Sequence, residues 1–335
     1  MELKGMKVIV IGLGKSGFEL LGFLDRRQVE TVAYDSRDAD SMSGLERFSD
    51  RISFRCGQNP SGDEECDLVI VSPGISMNLD FMKRFRERKV EIAGEVEFAY
   101  NFAKGKFISI TGTNGKTTST TLAGEIFKAA GFDTRVVGNI GNPVISEVET
   151  STEETVFVAE ISSFQLETIK NFNSRAAAVI NITPDHLDRH ITVENYADVK
   201  SRIFENQTKE DFAIINYDDP AVKKMSESLK SQIIFFSRKE KLEKGIYIED
   251  GIIKYADSSC TRDIISREEV FLKGGHNLEN VMATIGLCIA AGIDQEVMKR
   301  VLREFRGVEH RLELVDCIDG VEFINDSKGT NTDSS

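Results

Sequence analysis

Twice along this chain a short run of branched apolar residues breaks into a glycine-containing turn that opens a helix pattern. Lys7–Ile11 runs into Gly12-Leu-Gly14-Lys-Ser-Gly17, and Phe107-Ile-Ser-Ile110 into Thr111-Gly-Thr-Asn-Gly-Lys-Thr-Thr118. Short apolar strands separated by helical stretches are the signature of a parallel, doubly wound sheet, because parallel neighbours need a crossover between them. In the first such unit, Ser16–Asp25 predicts a helix, and Thr31–Tyr34 and Asp67–Val71 predict strands. The helical stretch Gly94–Ala103 leads to Lys104-Gly105-Lys106, which reads as a domain junction. In the second unit, a helix at Ser119–Ala130 precedes strands at Thr155–Ala159, Ala176–Ile182, Phe212–Asn216 and Gln232–Phe236. Residues 245–272 read as short antiparallel strands, with turns at Asp250-Gly251 and near Ser258. Helices follow at Asn277–Ala291 and Gln295–Phe305. Leu312–Asp316 and Val321–Ile324 then form a hairpin pattern around Asp319-Gly320, a favoured tight turn. A lone hairpin after a complete domain has little to bury against, so it is expected to open a third domain.

Charge narrows the ligands. Fifty-five acidic against 42 basic residues leave a net charge of −13, which repels nucleic acid and anionic membrane. A phosphorylated ligand would have to be met by local positive charge. The five cysteines are scattered without a C-x-x-C pair, which fits a reducing, cytoplasmic setting rather than a zinc site or a disulfide framework. The amino terminus runs straight into a strand without a signal-peptide pattern, and no apolar run is long enough to span a bilayer.

The second glycine turn is the sharpest signal. Its glycines let backbone amides approach phosphate oxygens, and the helix that follows adds positive potential. Lys116 would bridge the terminal phosphates, and the Thr117 hydroxyl would ligate Mg²⁺. Gly112 and Gly115 enclose two residues rather than the usual four, so the generic phosphate-loop pattern is not matched and a plain strand–helix turn is the alternative. The strand–turn–helix context favours phosphate. Glu160 ends a later strand, where an acid commonly serves Mg²⁺ and otherwise interacts with a helix dipole. His186, in the loop after another strand, reads as a metal ligand, a substrate contact or a surface histidine. In the helix Val193–Phe204 the apolar residues 193, 196, 197, 203 and 204 form one stripe, and Lys200 falls in it. Such a lysine either snorkels to water or is neutral, in which case it can react with CO₂ to give a carbamate.

The first glycine turn points two ways. With Asp35 ending the next strand, it reads alone as a nicotinamide-dependent oxidoreductase. It also fits any diphosphate-bearing nucleotide, a UDP-sugar included, with the Ser72-Pro-Gly74 loop closing over the same ligand.

Together, TGTNGKTT (111–118), GNIG (138–141), AEISSFQLE (159–167), NITPDHLDRH (181–190), GGHNLEN (274–280), EHRLE (309–313) and NDSKGTN (325–331) resemble the Mur ligase family, and its D-glutamate-adding branch most. The resemblance implies a Rossmann-like UDP-sugar-binding domain at 1–94. It implies a P-loop-type α/β ATPase domain with a small antiparallel subsheet at 95–306. Residues 307–335 are then the first hairpin of a third, amino-acid-binding α/β domain. The implied activity joins D-glutamate to UDP-N-acetylmuramoyl-L-alanine through an acyl phosphate, with ATP as co-substrate and Mg²⁺ as cofactor, in a monomer. Without the rest of the third domain the chain is expected to be inactive alone. The alternatives are a Mur ligase with another acceptor amino acid, or the oxidoreductase.

By the same resemblance, Lys116, Glu160, His186 and Lys200 are catalytic, and Thr117, Glu160, His186 and carbamylated Lys200 surround the metal. Gly112, Thr113, Asn114, Gly115, Lys116, Thr117, Thr118, Asn277, Asn280, Arg311 and Asp326 contact ATP. Gly14, Lys15, Ser16, Asp35, Ser36, Arg37, Ser72, Gly74, Asn139 and Ser162 contact the UDP-substrate, and Lys328 and Thr330 face D-glutamate. From the residues alone, Asn277 reads equally as a helix cap, Asp326 as a turn residue and Arg311 as surface charge.

Overall fold

A computed structural model describes residues 1–308, 313–318, 321–325 and 327. Contacts divide the chain into two compact units. Unit 1 comprises Met1–Gly105, Val137–Glu153 and Ser163–Phe172; unit 2 comprises Lys106–Val136, Glu154–Ser162 and the chain from Asn173 onward.

Unit 1 begins β1 (Lys7–Ile11), α1 (Lys15–Arg26), β2 (Glu30–Asp35), β3 (Ile52–Cys56), β4 (Leu68–Val71), α2 (Asp80–Glu87), β5 (Glu91–Gly94) and α3 (Glu95–Tyr100). The five strands are all parallel, in the order β3-β2-β1-β4-β5. β4 is Leu-Val-Ile-Val and buried at every position, as a strand covered on both faces must be. Edge strand β3 alternates buried and exposed residues, and β5 has only Ile-Ala to bury beside its glycine, so neither stands out by composition. Strand order reverses between β1 and β4, which brings their following turns together at the carboxyl ends of the sheet. There the Ser72 amide donates to the Ile11 carbonyl at 2.9 Å. Gly17 allows α1 to close on the turn: a Cβ there would meet the Gly12 carbonyl oxygen at 2.2 Å.

In chain order there follow β6 (Lys106–Thr111), α4 (Lys116–Ala129), β7 (Asp133–Gly138), α5 (Val144–Glu147), β8 (Thr155–Glu160), α6 (Ser163–Leu166), β9 (Ala176–Val179), α7 (Leu187–His190), α8 (Val193–Ser201), β10 (Phe212–Asn216), α9 (Pro220–Met225), β11 (Gln232–Ser237), β12 (Gly245–Glu249), β13 (Ile252–Ala256), β14 (Thr261–Ser266), α10 (Gly275–Ala290) and α11 (Gln295–Glu304). Of these, α5 and α6 belong to unit 1. The large sheet runs β14-β13-β12-β11-β10-β9-β6-β8-β7. β8, β6, β9, β10, β11 and β12 are parallel, and β13 and β14 add the expected antiparallel edge. One apolar core joins Ile108 and Ile110 of β6, Leu122 and Ile126 of α4, and Val281 and Ile285 of α10. Helix α8 stops at Ser201, and residues 202–204 continue as a tighter 3-10 turn. β15 (Glu313–Ile318) and β16 (Val321–Asn325) pair antiparallel; the turn at Asp319-Gly320 lies outside the described residues. The fold class read from the sequence is the one observed.

Candidate functional site

In unit 2 the second glycine turn sits where β6 is flanked by β8 on one side and β9 on the other. Gly115 meets two constraints there. Its φ is +82°, and a Cβ would lie 1.9 Å from Oδ1 of Asn280 on α10. The turn is clasped from β9's side. The Thr113 amide donates to the Asn181 carbonyl at 2.9 Å, and the Asn114 amide to Asn181 Oδ1 at 2.8 Å. Asn181 Nδ2 returns a bond to the Asn114 carbonyl at 3.2 Å, and the Thr183 amide donates to Thr113 Oγ1 at 3.0 Å. Two turn amides are therefore spoken for, and the anion-facing donors are the first-turn amides of α4, which no carbonyl of the helix itself can reach. Lys116 Nζ lies over the turn, donating to the Gly112 and Thr113 carbonyls at 2.9 and 2.8 Å. Asn181 and Thr183 fall in the stretch 181–190, where the sequence marks only His186. Their role follows from register, since Thr111 pairs with Val179 across β6 and β9.

Glu160, 1% exposed, is in register with Ile110, one residue before the turn begins. Lys200, also 1% exposed, faces inward: Nζ donates to Thr111 Oγ1 at 3.2 Å and to the Gly112 carbonyl at 2.9 Å, and lies 4.7 Å from the centre of the Tyr196 ring. The snorkelling alternative is thereby excluded. Burial and the neighbouring Lys116 ammonium hold the Lys200 amine well below its ordinary basicity, against the opposing pull of Asp185 and Glu160. Lys116, Glu160, Asp185 and Lys200 thus form one electrostatic cluster, in which Asp185 had not been anticipated. His186 adopts φ +51° ahead of α7, with its side chain about half exposed and 3.7 Å from the Asp185 carboxylate. The Thr117 hydroxyl and the Glu160 carboxylate are hard oxygen donors of the kind Mg²⁺ takes, and an ion that keeps several waters needs few protein ligands. Among the described residues no three His, Cys, Asp or Glu side chains stand together as a metal cage, so an ion here would rely on water, hydroxyl and phosphate oxygens as well.

Beside the turn a cavity of about 590 Å³ is lined by Asn114, Asn181, Thr183, Asp219, Lys239 and His276, among others. Lys239 and His276 are further residues the sequence had not marked. Asn280 is buried against Gly115, whereas Asn277 Nδ2 donates back at 2.9 Å to the Lys273 carbonyl just ahead of α10, whose cap is Gly274. Another cavity, of about 570 Å³ between α8 and α9, holds none of the candidate residues. Arg311, Asp326, Lys328 and Thr330 lie outside the described residues.

In unit 1, Gly14, Lys15 and Ser16 stand at the start of α1, and Ser72 packs against Gly12 of the same turn, where a Cβ would lie 2.7 Å from Ser72 Cβ. Asp35 is buried, and both its oxygens are engaged: Oδ2 accepts from the Leu13 amide at 2.7 Å, and Arg37 forks onto Oδ1 and Oδ2 at 2.9 Å each. The Arg37 guanidinium holds the Asp35 carboxyl down at about 2. Asp35 therefore does not present the free carboxylate that a ribose diol of a nicotinamide cofactor would need. Arg37, half exposed, is the charge left at the mouth of the turn, next to exposed Ser36. Asn139 is exposed on the Gly138–Gly141 run, which also belongs to unit 1, and Lys15 Nζ donates to the Gly141 carbonyl at 2.7 Å. Ser162 belongs to unit 2.

Residues 6–94 match the family model for the Mur ligase MurD-like N-terminal domain, and residues 110–288 that for the Mur ligase middle domain. The UDP-N-acetylmuramoylalanine–D-glutamate ligase of Thermoanaerobacter sp. (strain X514) is 48% identical over 338 residues, covering all of this chain and 74% of that protein. The protein of the same name from Clostridioides difficile (strain 630) is 45% identical over 340 residues, covering all of this chain and 75% of that one. Among solved structures, the UDP-N-acetylmuramate–alanine ligase of Thermotoga maritima superposes with a TM-score of 0.56 at 18% identity, covering 96% of this chain and 74% of that one. A UDP-N-acetylmuramate:L-alanyl-gamma-D-glutamyl-meso-diaminopimelate ligase from Neisseria meningitides gives 0.60 at 16% identity, covering 91% and 99%. These two structures share the fold. The matches set aside the oxidoreductase reading of the first glycine turn, in accord with the occupied Asp35. The chain belongs to the Mur ligase family.

Proposed function

We propose that the chain acts as an ATP-dependent ligase of peptidoglycan precursor synthesis, joining D-glutamate to the L-alanine carboxylate of UDP-N-acetylmuramoyl-L-alanine. The observation that carries the chemistry is the cluster at the ends of β6 and β8: a glycine turn with Lys116 over it, buried Glu160 in register beside it, and the buried Lys200 amine bonded to its backbone. The acceptor is supported by relatives at 42–48% identity that carry this one name. Solved structures named for other acceptors are below 20% identical, so another acceptor is not favoured.

A carboxylate is a poor electrophile, and activation brings two anions together. An oxygen of the L-alanine carboxylate attacks the γ-phosphorus of ATP, and the bond to the ADP oxygen breaks. The D-glutamate amine then attacks the acyl carbon, phosphate leaves and the nitrogen loses a proton. The α4 first-turn amides and Lys116 would neutralise the transferring phosphoryl group and hold it in line. Mg²⁺, held by Thr117 and Glu160, would supply further charge neutralisation on the phosphates. The nucleoside would occupy the cavity lined by Asn181, Asp219 and His276. Carbamylation of the neutral Lys200 amine would add a carboxylate at the same strand end, and isotope-labelled bicarbonate would then leave a carbamate resonance absent from Lys200→Met. Unit 1 would hold the UDP-substrate through Lys15, Ser16, Arg37, Ser72 and Asn139. The protein would work as a cytoplasmic monomer; no helix of the described residues is long and apolar enough to cross a membrane.

Binding calorimetry tests the reading. UDP-N-acetylmuramoyl-L-alanine should bind more tightly than UDP-N-acetylmuramic acid, and Mg-ATP binding should weaken at least about tenfold in Lys116→Ala, which removes a charge-assisted contact. NADH binding with no affinity for either UDP-sugar would refute it.

A further inference from the structure

The sequence of the ATPase half lends two segments to unit 1, Val137–Glu153 and Ser163–Phe172, and one short helix receives both. α3 carries two buried carboxylates, Glu95 and Glu97, each 3% exposed. Two residues turn a helix by about 200°, so the two side chains leave opposite sides of α3. Glu97 accepts from the amides of Lys170, Asn171 and Phe172 at 2.9, 2.9 and 3.0 Å. Glu95 accepts from the Ile145 amide at 2.8 Å, and the Val144 amide also bonds to it. Neither carboxylate touches a candidate contact for ATP or the UDP-substrate. What Glu95 holds is the start of α5, and α5 directly follows the run that carries Asn139.

The run meets other contacts too: Asn142, just past it, donates from Nδ2 to Glu147 Oε1 at 2.7 Å. Its ends are closed by the Gly138 amide on the Asn142 carbonyl at 3.0 Å, and Lys15 Nζ reaches Gly141. Gly138 and Gly141 both have positive φ, at 101° and 71°, a conformation that glycine permits. Beyond α5 the segment is tied again where Arg26 and Arg27 grip Glu149. A carboxyl with almost no water around it is costly to bury unless hydrogen-bonded, and here the compensating bonds go to this segment's backbone.

We infer that Glu95 is a positioning residue for the UDP-substrate: by holding the amides of Val144 and Ile145 it sets the Gly138–Gly141 run and therefore Asn139. This rests on unit 1 being the UDP-substrate site. The role needs a hydrogen-bond acceptor and not a charge, because a protonated carboxyl or an amide oxygen accepts from the same amides. Glu97 supplies the internal comparison, as an equally buried carboxylate on the same helix that holds a segment without a candidate contact.

The test is calorimetry on the intact chain, titrating UDP-N-acetylmuramoyl-L-alanine and Mg-ATP separately, with amide exchange followed on the wild type. Glu95→Leu should bind the UDP-substrate at least about tenfold more weakly, an effect of the size expected when buried donors lose their acceptor. Glu95→Gln and Glu97→Leu should stay within about threefold, and Mg-ATP affinity should be unchanged in all three. In the wild type, UDP-substrate should slow exchange across residues 138–145, a measurement that stands even where Glu95→Leu does not fold. The inference is overturned by wild-type affinity in Glu95→Leu, by an equal loss in Glu97→Leu or Glu95→Gln, or by unchanged exchange across the run. If the wild type binds ATP but no UDP-sugar, the site reading itself falls, which is a different result.

Discussion

Single residues in this protein carry opposite responses to pH. Glu95 is the clearest case: burial pushes its carboxyl up to about 7, against the opposing help of the Ile145 and Val144 amides. The folded state therefore holds a proton that the unfolded chain releases near 4.5. Stability from this group is complete below that ordinary value and is lost as pH rises through about 7, in total by about 3 kcal/mol. Glu95→Gln should remove this term, so its unfolding free energy should fall less than the wild type's between about pH 5 and 7 in urea titrations. Parallel slopes would mean that the carboxyl is ionised in the fold. Lys200 runs the other way. Its depressed basicity gives stability that is complete above 10.5 and is lost as pH falls toward its folded value. The stripe of apolar residues in α8 made its inward placement legible; its bond to the Gly112 carbonyl was not, because that partner is 88 residues away.

At the scale of elements, the second glycine turn depends on a neighbour that no local pattern identifies. A glycine turn between strand and helix is visible in the sequence, because φ-permissive residues and helix caps are local chemistry. Asn181, which takes the Asn114 amide at 2.8 Å, is brought there by the pairing of β9 with β6. Asn181→Ala should leave a partly buried amide without its acceptor and cost about 1–3 kcal/mol. It should also weaken Mg-ATP binding more than UDP-substrate binding, measured by calorimetry; equal effects would argue against a local role. The strands that went unpredicted share one cause. β3, β5 and β7 lie at sheet edges; β3 and β7 are only patchily buried, and β5 has just Ile-Ala before its glycine, so none produces an apolar run. The central strands β4, β8 and β9 are buried throughout and were evident.

At the scale of the whole molecule, the chain does not divide where a linear reading would cut it. Val144, Ile145, Ile169 and Phe172 are fully or nearly fully buried, yet they complete unit 1 from within the sequence of the ATPase half. Residues 1–105 expressed alone should therefore unfold at lower urea than unit 1 does in the full chain, since each missing core side chain is worth about 1.5–3 kcal/mol. Coincident transitions would show that the borrowed segments add no stability. The sequence by itself determined the α/β class and the two strand–turn–helix units, and it placed a glycine turn ahead of α4 and Lys200 on the apolar stripe of α8, because each follows from contacts within one or two helical turns or one strand's period. Only the tertiary structure decided that Arg37 occupies Asp35, that Asn181 clasps the turn, and that α5 docks on Glu95. Those are contacts between residues far apart along the chain, made only once the sheets order their strands, and no local periodicity carries their energy.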